Sequence, residues 1–150
     1  MNLLFINYEY PPVGGGAANA TREIARAMTN LGHKAVVLTS QTPNKHGYAT
    51  EGKIEVYRIR SIRRRIDRSS ILEMFSFVLA AMRKAPGISK EMSIDGVICF
   101  FSLPCGLVGL FLNKCLRFRY VVSLRGGDVP GLVPELNLFH WLLAPIRRAI

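Results

Sequence analysis

The sequence predicts an α/β domain with a doubly wound, mainly parallel sheet and helices on both faces. Short apolar runs alternate with amphipathic segments along the chain, and glycine-rich or proline-rich turns follow several of the runs. Strands that are apolar at consecutive positions are typical of a parallel sheet covered by helices on both sides. The chain has 150 residues, the size of one domain, and we expect residues 1–150 to fold as one unit.

The chain opens with a predicted strand, glycine loop and helix. Residues 3–6 are continuously apolar, and the prolines in residues 8–12 end this strand because they supply no ladder donors. Residues 17–31 then carry apolar side chains at helical spacing. Such a unit directs backbone N–H groups and the positive end of a helix dipole toward the loop, which predicts a site for phosphate or another anion. The loop contains Gly14, Gly15 and Gly16, which are free to adopt positive φ.

The rest of the chain continues this alternation. The helix predicted at residue 70 begins with Ser70 and Glu73, which have the spacing of a capping box. The strand KIEVYRI alternates apolar and charged residues, so we expect it to be more exposed than the others. We predict strands at residues 35–38, 53–59, 95–101 and 120–124, helices at 70–84, 104–116 and 134–150, and a polar surface loop at 39–52.

The topology places four loops at one edge of the sheet. Loops that leave parallel strands all emerge at the carboxyl edge, and ligands of such sheets bind in the crevice there. We therefore expect a shared ligand edge formed by residues 8–16, 60–68, 102–106 and 125–131.

Charge, cysteines and hydropathy restrict the class of protein. The net charge of +10 favours an anionic partner without choosing among nucleic acid, a membrane surface and a phosphorylated ligand. Three cysteines in or beside apolar runs indicate reduced core residues of a cytoplasmic protein. Residues 96–113 carry no charge over a length that reaches a membrane span, but Pro104 divides them into a strand and a helix. The histidines lie scattered along the sequence, so we expect no metal site.

The glycine loop does not match the common nucleotide-binding fingerprints. Gly14 and Gly16 fit the first two glycines of a dinucleotide motif, but Asn19 takes the third place, and no acidic residue follows the second strand. The lysine that follows the glycines of a triphosphatase P-loop is missing, and the G-x-S-x-G elbow of hydrolases is absent from the sequence. These absences disfavour a nicotinamide dehydrogenase, a P-loop enzyme and an α/β-hydrolase.

Two charged segments at the predicted ligand edge allow more than one interpretation. In RGGDVPG, Asp128 either accepts hydrogen bonds from its own loop or acts with Arg125 to bind sugar hydroxyls or phosphate and to stabilise charge in a transition state. The arginine cluster is either a solvated face or a surface that binds anionic lipid headgroups or a phosphorylated acceptor. It consists of Arg58, Arg60, Arg63, Arg64, Arg65 and Arg68.

Three motifs together resemble one known family. They are INYEYPPVGGGAANAT after the first strand, FSLPCGL after the fourth and VSLRGGDVPG after the fifth. Together they resemble the amino-terminal domain of family 4 glycosyltransferases, which are retaining enzymes of the GT-B fold. The resemblance spans essentially the whole chain and implies a Rossmann-like, acceptor-side domain. In such enzymes a carboxy-terminal domain holds most of the nucleotide-sugar donor.

The resemblance also implies roles for particular residues. Arg125 stands where many members have a histidine, and it is expected with Asp128 at the catalytic positions. No cofactor or metal is expected, because helix dipoles and basic side chains neutralise the leaving diphosphate in such enzymes. The expected donor-binding residues are Gly14, Gly15, Gly16, Ala17 and Gly126, and the expected acceptor-binding residues are Arg63, Arg64, Arg65 and Ser102.

A family member is about twice as long as this chain, so we expect the donor-binding domain to lie after Ile150 or on a separate partner. We expect the chain alone to be inactive, and we expect a cytoplasmic location, peripheral on the inner face of the membrane. The alternative is a noncatalytic basic α/β module that binds nucleic acid or an anionic membrane through residues 58–68. Nucleic acid is disfavoured because no aromatic-rich strand is present to stack bases.

Overall fold

The computed structural model describes residues 1–62 and 70–128, and the helix predicted at 134–150 lies outside them. Within these ranges the chain forms six strands and three α-helices. In chain order they are β1 (Asn2–Ile6), α1 (Gly16–Asn30), β2 (Lys34–Ser40), β3 (Gly47–Glu51), β4 (Ile54–Ile59), α2 (Ile71–Glu91), β5 (Gly96–Phe100), α3 (Leu107–Leu116) and β6 (Tyr120–Ser123).

The strands form one mainly parallel sheet in the order β3-β4-β2-β1-β5-β6. β1 lies inside the sheet and pairs in parallel with both β2 and β5. Only the β3 and β4 pair is antiparallel among the described strands. The predicted Rossmann-like fold class is therefore confirmed.

Helices cover both faces of the sheet, as predicted. Leu4 and Ile6 of β1 belong to a core that includes Phe77 and Ala81 of α2 and Val108 of α3. The alternate residues of β1, Leu3 and Phe5, belong to a second core with Ala25 of α1. Because successive strand residues point to opposite faces, one apolar run supplies both cores.

The prediction of a surface loop at residues 39–52 is wrong over its second half, where β3 forms. β3 carries polar and glycine residues because it is an edge strand, with one side open to solvent. Its Tyr48 ring lies 5.0 Å from the ring of Tyr57 across the antiparallel pair. The expectation that β4 is the most exposed strand is also wrong, because β3 and β2 flank it and Val56 is fully buried.

The helix predicted to end near Lys84 continues to Glu91. Pro86 lies inside α2, but Ala85 and Ile88 on either side of it are buried in the core. We infer that this apolar burial outweighs the hydrogen bond that proline cannot make. The capping box is confirmed, since Glu73 N donates to Ser70 Oγ at 3.3 Å and Ser70 N donates to Glu73 Oε2 at 2.9 Å.

The 96–113 segment forms β5, an irregular turn at Phe101–Gly106 and the first part of α3, so α3 begins later than predicted. Within residues 1–62 and 70–128, no helix has both the length and the apolar content needed to cross a bilayer. The three cysteines are free; Cys99 and Cys105 are buried, whereas Cys115 is exposed and not a core residue as expected. Burial raises the pKa of the Cys99 thiol to about 12.

Gly109 sets the distance between α3 and the sheet. A Cβ at this position would lie 2.6 Å from Cδ2 of Tyr120 and 2.7 Å from Sγ of Cys99. We expect Gly109→Ala to lower the free energy of unfolding by about 1–3 kcal/mol, because the extra carbon overpacks this contact.

Gly87, inside α2, provides the matched control, since a Cβ there meets no atom within 4 Å. We expect Gly87→Ala to raise the free energy of unfolding by about 0.5–1 kcal/mol through helix propensity alone. Urea denaturation of both variants measures the two effects. A Gly109→Ala protein as stable as the wild type would show that α3 has room to move away.

Candidate functional site

The loops after β1, β5 and β6 meet at the carboxyl edge of the sheet, as the topology predicts. The ring of Tyr8, after β1, lies 5.4 Å from the ring of Phe101, after β5. Ser102, after β5, is bonded to Asp128, after β6. Phe101 has a φ of 72°, a left-handed conformation that is unfavourable for a bulky side chain and common at functional sites. The arginine-rich residues 63–68 lie outside the described residues.

The glycine loop combines one closely packed glycine with two open ones. Gly14 has a φ of 87°, and a Cβ there would lie 2.9 Å from Oε2 of Glu9 and 3.1 Å from Cβ of Ala18. A Cβ on Gly15 or Gly16 would meet no atom within 4 Å. Among the described residues no side chain caps α1, which begins at Gly16. A ligand can therefore approach the backbone N–H groups at the positive end of this helix.

Asn7 and Thr21 fix the start of α1 against the sheet. The buried Asn7 side chain donates to Thr21 Oγ1 at 2.7 Å and accepts from Glu9 N at 3.1 Å. Thr21 Oγ1 in turn donates to Ala17 O at 2.9 Å. The sequence analysis did not identify this network. The sequence signal that could have revealed it is a polar residue at a position where the apolar pattern predicts a core residue. Asn7 occupies such a position after the strand, and Thr21 occupies one in the helix.

Arg58 is part of a buried cluster that holds the first loop. Its Nη2 donates to Glu51 Oε1 at 2.7 Å and to Pro11 O at 3.4 Å, and its guanidinium lies 5.7 Å from the Tyr10 ring centre. The Arg58 side chain is only 3% exposed. Burial raises the pKa of the Tyr10 hydroxyl, and the Glu51 carboxylate raises it further. Arg58 therefore anchors the loop, and its assignment to a docking surface at residues 58–68 is wrong.

Asp128 joins the loops after β5 and β6. Ser102 N donates to Asp128 Oδ2 at 2.9 Å, and Ser102 Oγ donates to Asp128 Oδ1 at 2.7 Å. Within its own loop the carboxylate also accepts from Arg125 N at 3.3 Å, while Asp128 N donates to Arg125 O. The Ser102 and Asp128 side chains are both buried. The catalytic role of Asp128 and the acceptor-binding role of Ser102 stay predictions. The structure adds that hydrogen bonds join the two residues.

The guanidinium of Arg125 lies over an aromatic ring at the end of β5. Its Cζ is 5.0 Å from the centre of the buried Phe100 ring, a cation–π contact. The ion pairs found among the described residues do not include Arg125, and within the same residues its Nε has no hydrogen-bond partner. A positive charge is thus held in place at the ligand edge by a neutral ring. Gly126, next in the chain, faces open space.

A polar groove lies at the carboxyl ends of β2 and β4. One part of it has a volume of about 400 Å³ and is lined by Gln41, Thr42, Pro43, His46, Arg60 and Ser61. A second part of about 380 Å³ shares three of these residues and extends to Ile62 and Ser76. Only Arg60 was singled out from the sequence. The hydroxyl, amide and guanidinium groups suit a ligand with hydroxyls or negative charge.

The described residues contain no group of three His, Cys, Asp or Glu side chains that could hold a metal ion. The predicted donor residues Gly14, Gly15, Gly16 and Ala17 lie together at the start of α1. Arg125, Gly126 and Asp128 lie on the loop after β6, and Ser102 lies against them. Arg63, Arg64 and Arg65 lie outside the described residues, so their position relative to this site stays a prediction.

Structures of sucrose-phosphate synthase share this fold. Sucrose-phosphate synthase from Thermosynechococcus elongatus superimposes with a TM-score of 0.70 at 16% identity, over 84% of this chain and 33% of that chain. A second structure of that enzyme gives a TM-score of 0.66 at 13% identity, over 93% of this chain and 68% of that chain. MurG from Acinetobacter baumannii has a TM-score of 0.48 at 16% identity, over 85% of this chain and 35% of that chain. This chain thus spans about a third of the length of the first match.

The fold is a Rossmann-like α/β domain with an open glycine loop at the carboxyl edge of its sheet. A search of curated protein sequences finds no match. The model of the glycosyl transferase 4-like domain matches residues 15–150, and the chain belongs to that family. The resemblance to family 4 glycosyltransferases is thereby confirmed.

We expect Arg58→Met to lower the free energy of unfolding by about 2 kcal/mol. This value lies between the costs of breaking a buried and an exposed ion pair, because the Glu51 side chain is partly exposed. Arg22→Met, which breaks the exposed pair with Glu23, is the control and is expected to change stability by about 0.5 kcal/mol or less. Urea denaturation measures both. Equal effects of the two substitutions would contradict the anchoring role of Arg58.

Proposed function

We propose that this chain is the acceptor-side domain of a retaining glycosyltransferase. The enzyme transfers a sugar from a nucleotide-sugar donor to a glycan, lipid-linked or small-molecule acceptor. The main supporting observation is the uncapped start of α1, where Gly15 and Gly16 leave the backbone open at the ligand edge. Family membership supports the reaction class. A carboxy-terminal domain, outside this chain, holds most of the donor.

In this proposal the donor diphosphate lies near the start of α1. Backbone N–H groups and the helix dipole stabilise its negative charge, and the glycines allow it to approach closely. On the loop after β6, Gly126 likewise leaves the backbone open to the diphosphate. Arg125 stabilises the charge that develops on the leaving diphosphate, and Asp128 orients the Arg125 loop through its bond to Arg125 N. The start of α1 and Arg125 supply the positive charge at the diphosphate, so we propose no metal ion or other cofactor.

The acceptor is proposed to occupy the polar groove near Arg60. Arg63, Arg64 and Arg65 follow in the sequence and add positive charge for an anionic acceptor. Ser102 contributes to the acceptor side through its bond with Asp128. The net charge of +10 supports peripheral association with the inner, cytoplasmic face of the membrane. Nucleic acid is not proposed as a partner, and the noncatalytic alternative is weakened because Arg58 is buried.

We expect Gly16→Leu to lower kcat/KM for the nucleotide-sugar about tenfold or more in the two-domain enzyme, because the added side chain occupies the approach to the diphosphate. A Cβ at Gly16 meets no protein atom within 4 Å, so thermal stability should stay close to that of the wild type. Gly87→Leu, at another open glycine, is the control and should leave the kinetics unchanged. Wild-type kinetics in Gly16→Leu would place the donor elsewhere.

We expect the 150-residue chain alone to bind nucleotide-sugars weakly and to turn over little or none, because most donor contacts belong to the missing domain. Isothermal titration with nucleotide-sugars and an assay for nucleotide release measure the two quantities. Adding a separately produced carboxy-terminal domain is the positive control. Efficient transfer by the isolated chain would contradict the division of roles between the domains.

A further inference from the structure

The first half of α2 exposes a continuous apolar face. Ile71, Leu72, Phe75 and Leu79 are 70%, 77%, 58% and 51% exposed, respectively. At 100° per residue these four side chains lie within a sector of about 100° of the helix. We call these four residues the docking face. Ile62, which is 58% exposed, lies beside it, since Ile62 N donates to Ser76 Oγ at 2.9 Å.

The docking face is not the side of α2 that stabilises the domain. Phe77, Ala81 and Ile88 on the other side of the helix are buried against the sheet. The capping box at Ser70 orders the first turn, so the docking face is presented on a formed helix. A contiguous exposed apolar patch of this kind marks an interaction surface.

The charges near the docking face are mostly positive. The exposed charged residues of α2 are Arg83, Lys84, Lys90 and Glu91, and Arg83 lies one turn after Leu79 on the same side of the helix. Glu73, in the first turn, is buried and accepts a hydrogen bond from Ser70 N. Residues 63–68, which follow Ile62 in the sequence and lie outside the described residues, carry four arginines and Asp67.

We propose that the docking face enters the headgroup region of an anionic lipid bilayer, with neighbouring basic side chains such as Arg83 on the lipid phosphates. This proposal rests on the proposed peripheral membrane association and identifies the surface responsible for it. An apolar helix face with mostly basic charges beside it is the pattern of a helix that lies in a membrane interface. The net charge of +10 adds attraction to an anionic bilayer.

Membrane docking also bears on the acceptor. The polar groove reaches Ile62 and Ser76, which lie beside the docking face. A bilayer in contact with α2 would bring a lipid-linked acceptor to the mouth of this groove, with its polar head toward Arg60 and Gln41. The acceptor class favoured by this geometry is therefore lipid-linked.

Vesicle co-sedimentation of the purified chain tests the proposal. The vesicles contain phosphatidylcholine alone or phosphatidylcholine mixed with phosphatidylglycerol. We expect the wild type to bind the mixed vesicles, and Leu72→Ser with Phe75→Ser to weaken binding about tenfold or more. Leu31→Ser with Leu116→Ser removes exposed apolar side chains elsewhere and should bind like the wild type. Circular dichroism confirms that each variant is folded.

The other outcomes separate the hypotheses. Wild-type vesicle binding by the Leu72→Ser, Phe75→Ser variant overturns insertion of the docking face, while electrostatic association survives. A wild type that binds neither vesicle overturns both membrane proposals. A dimer in sedimentation velocity that the same variant abolishes, without loss of vesicle binding, assigns the face to a second copy and overturns the proposal. Transfer to a water-soluble acceptor by the two-domain enzyme tests the glycosyltransferase function independently.

Discussion

The parallel pairing of β1 with both of its neighbours is the constraint on which the site depends. Ile6, the last residue of β1, pairs with Leu38 of β2 on one side and with Cys99 of β5 on the other. The three strands therefore end at nearly the same level, and the loops that follow them begin side by side. Buried polar side chains then connect these loops: Asn7 to α1, Arg58 to the first loop, and Asp128 to the turn after β5.

Each of these buried polar groups costs desolvation and is tolerated because it is hydrogen-bonded. The bonds hold the loops in one arrangement before any ligand binds. The start of α1, by contrast, is left open, with Gly15 and Gly16 facing free space. Fixed surroundings and an open backbone are what an anion site needs, because little reorganisation is required when charge arrives.

The sequence predicted the elements whose signals are local. Apolar runs located five of the six strands, and the glycine loop and the capping box at Ser70 were found from residue type and spacing. β3 and the continuation of α2 past Pro86 were missed, because pairing with β4 and burial of Ile88 decide them.

In the candidate site, too, the sequence predicted only the features that have a local signal. The glycine loop was located, but the contacts of Arg58 depend on the register that places Glu51 in the neighbouring strand. Ser102 and Asp128 are 26 residues apart, and only the fold brings them together.

β3 has a consequence for solubility. β4 carries the buried residues Ile54, Val56 and Ile59, and its outer edge would be a template for pairing with another chain if it were bare. β3 covers that edge and presents Gly47 and Thr50 to solvent in its place. A short polar strand therefore protects an aggregation-prone neighbour at the end of the sheet farthest from β6.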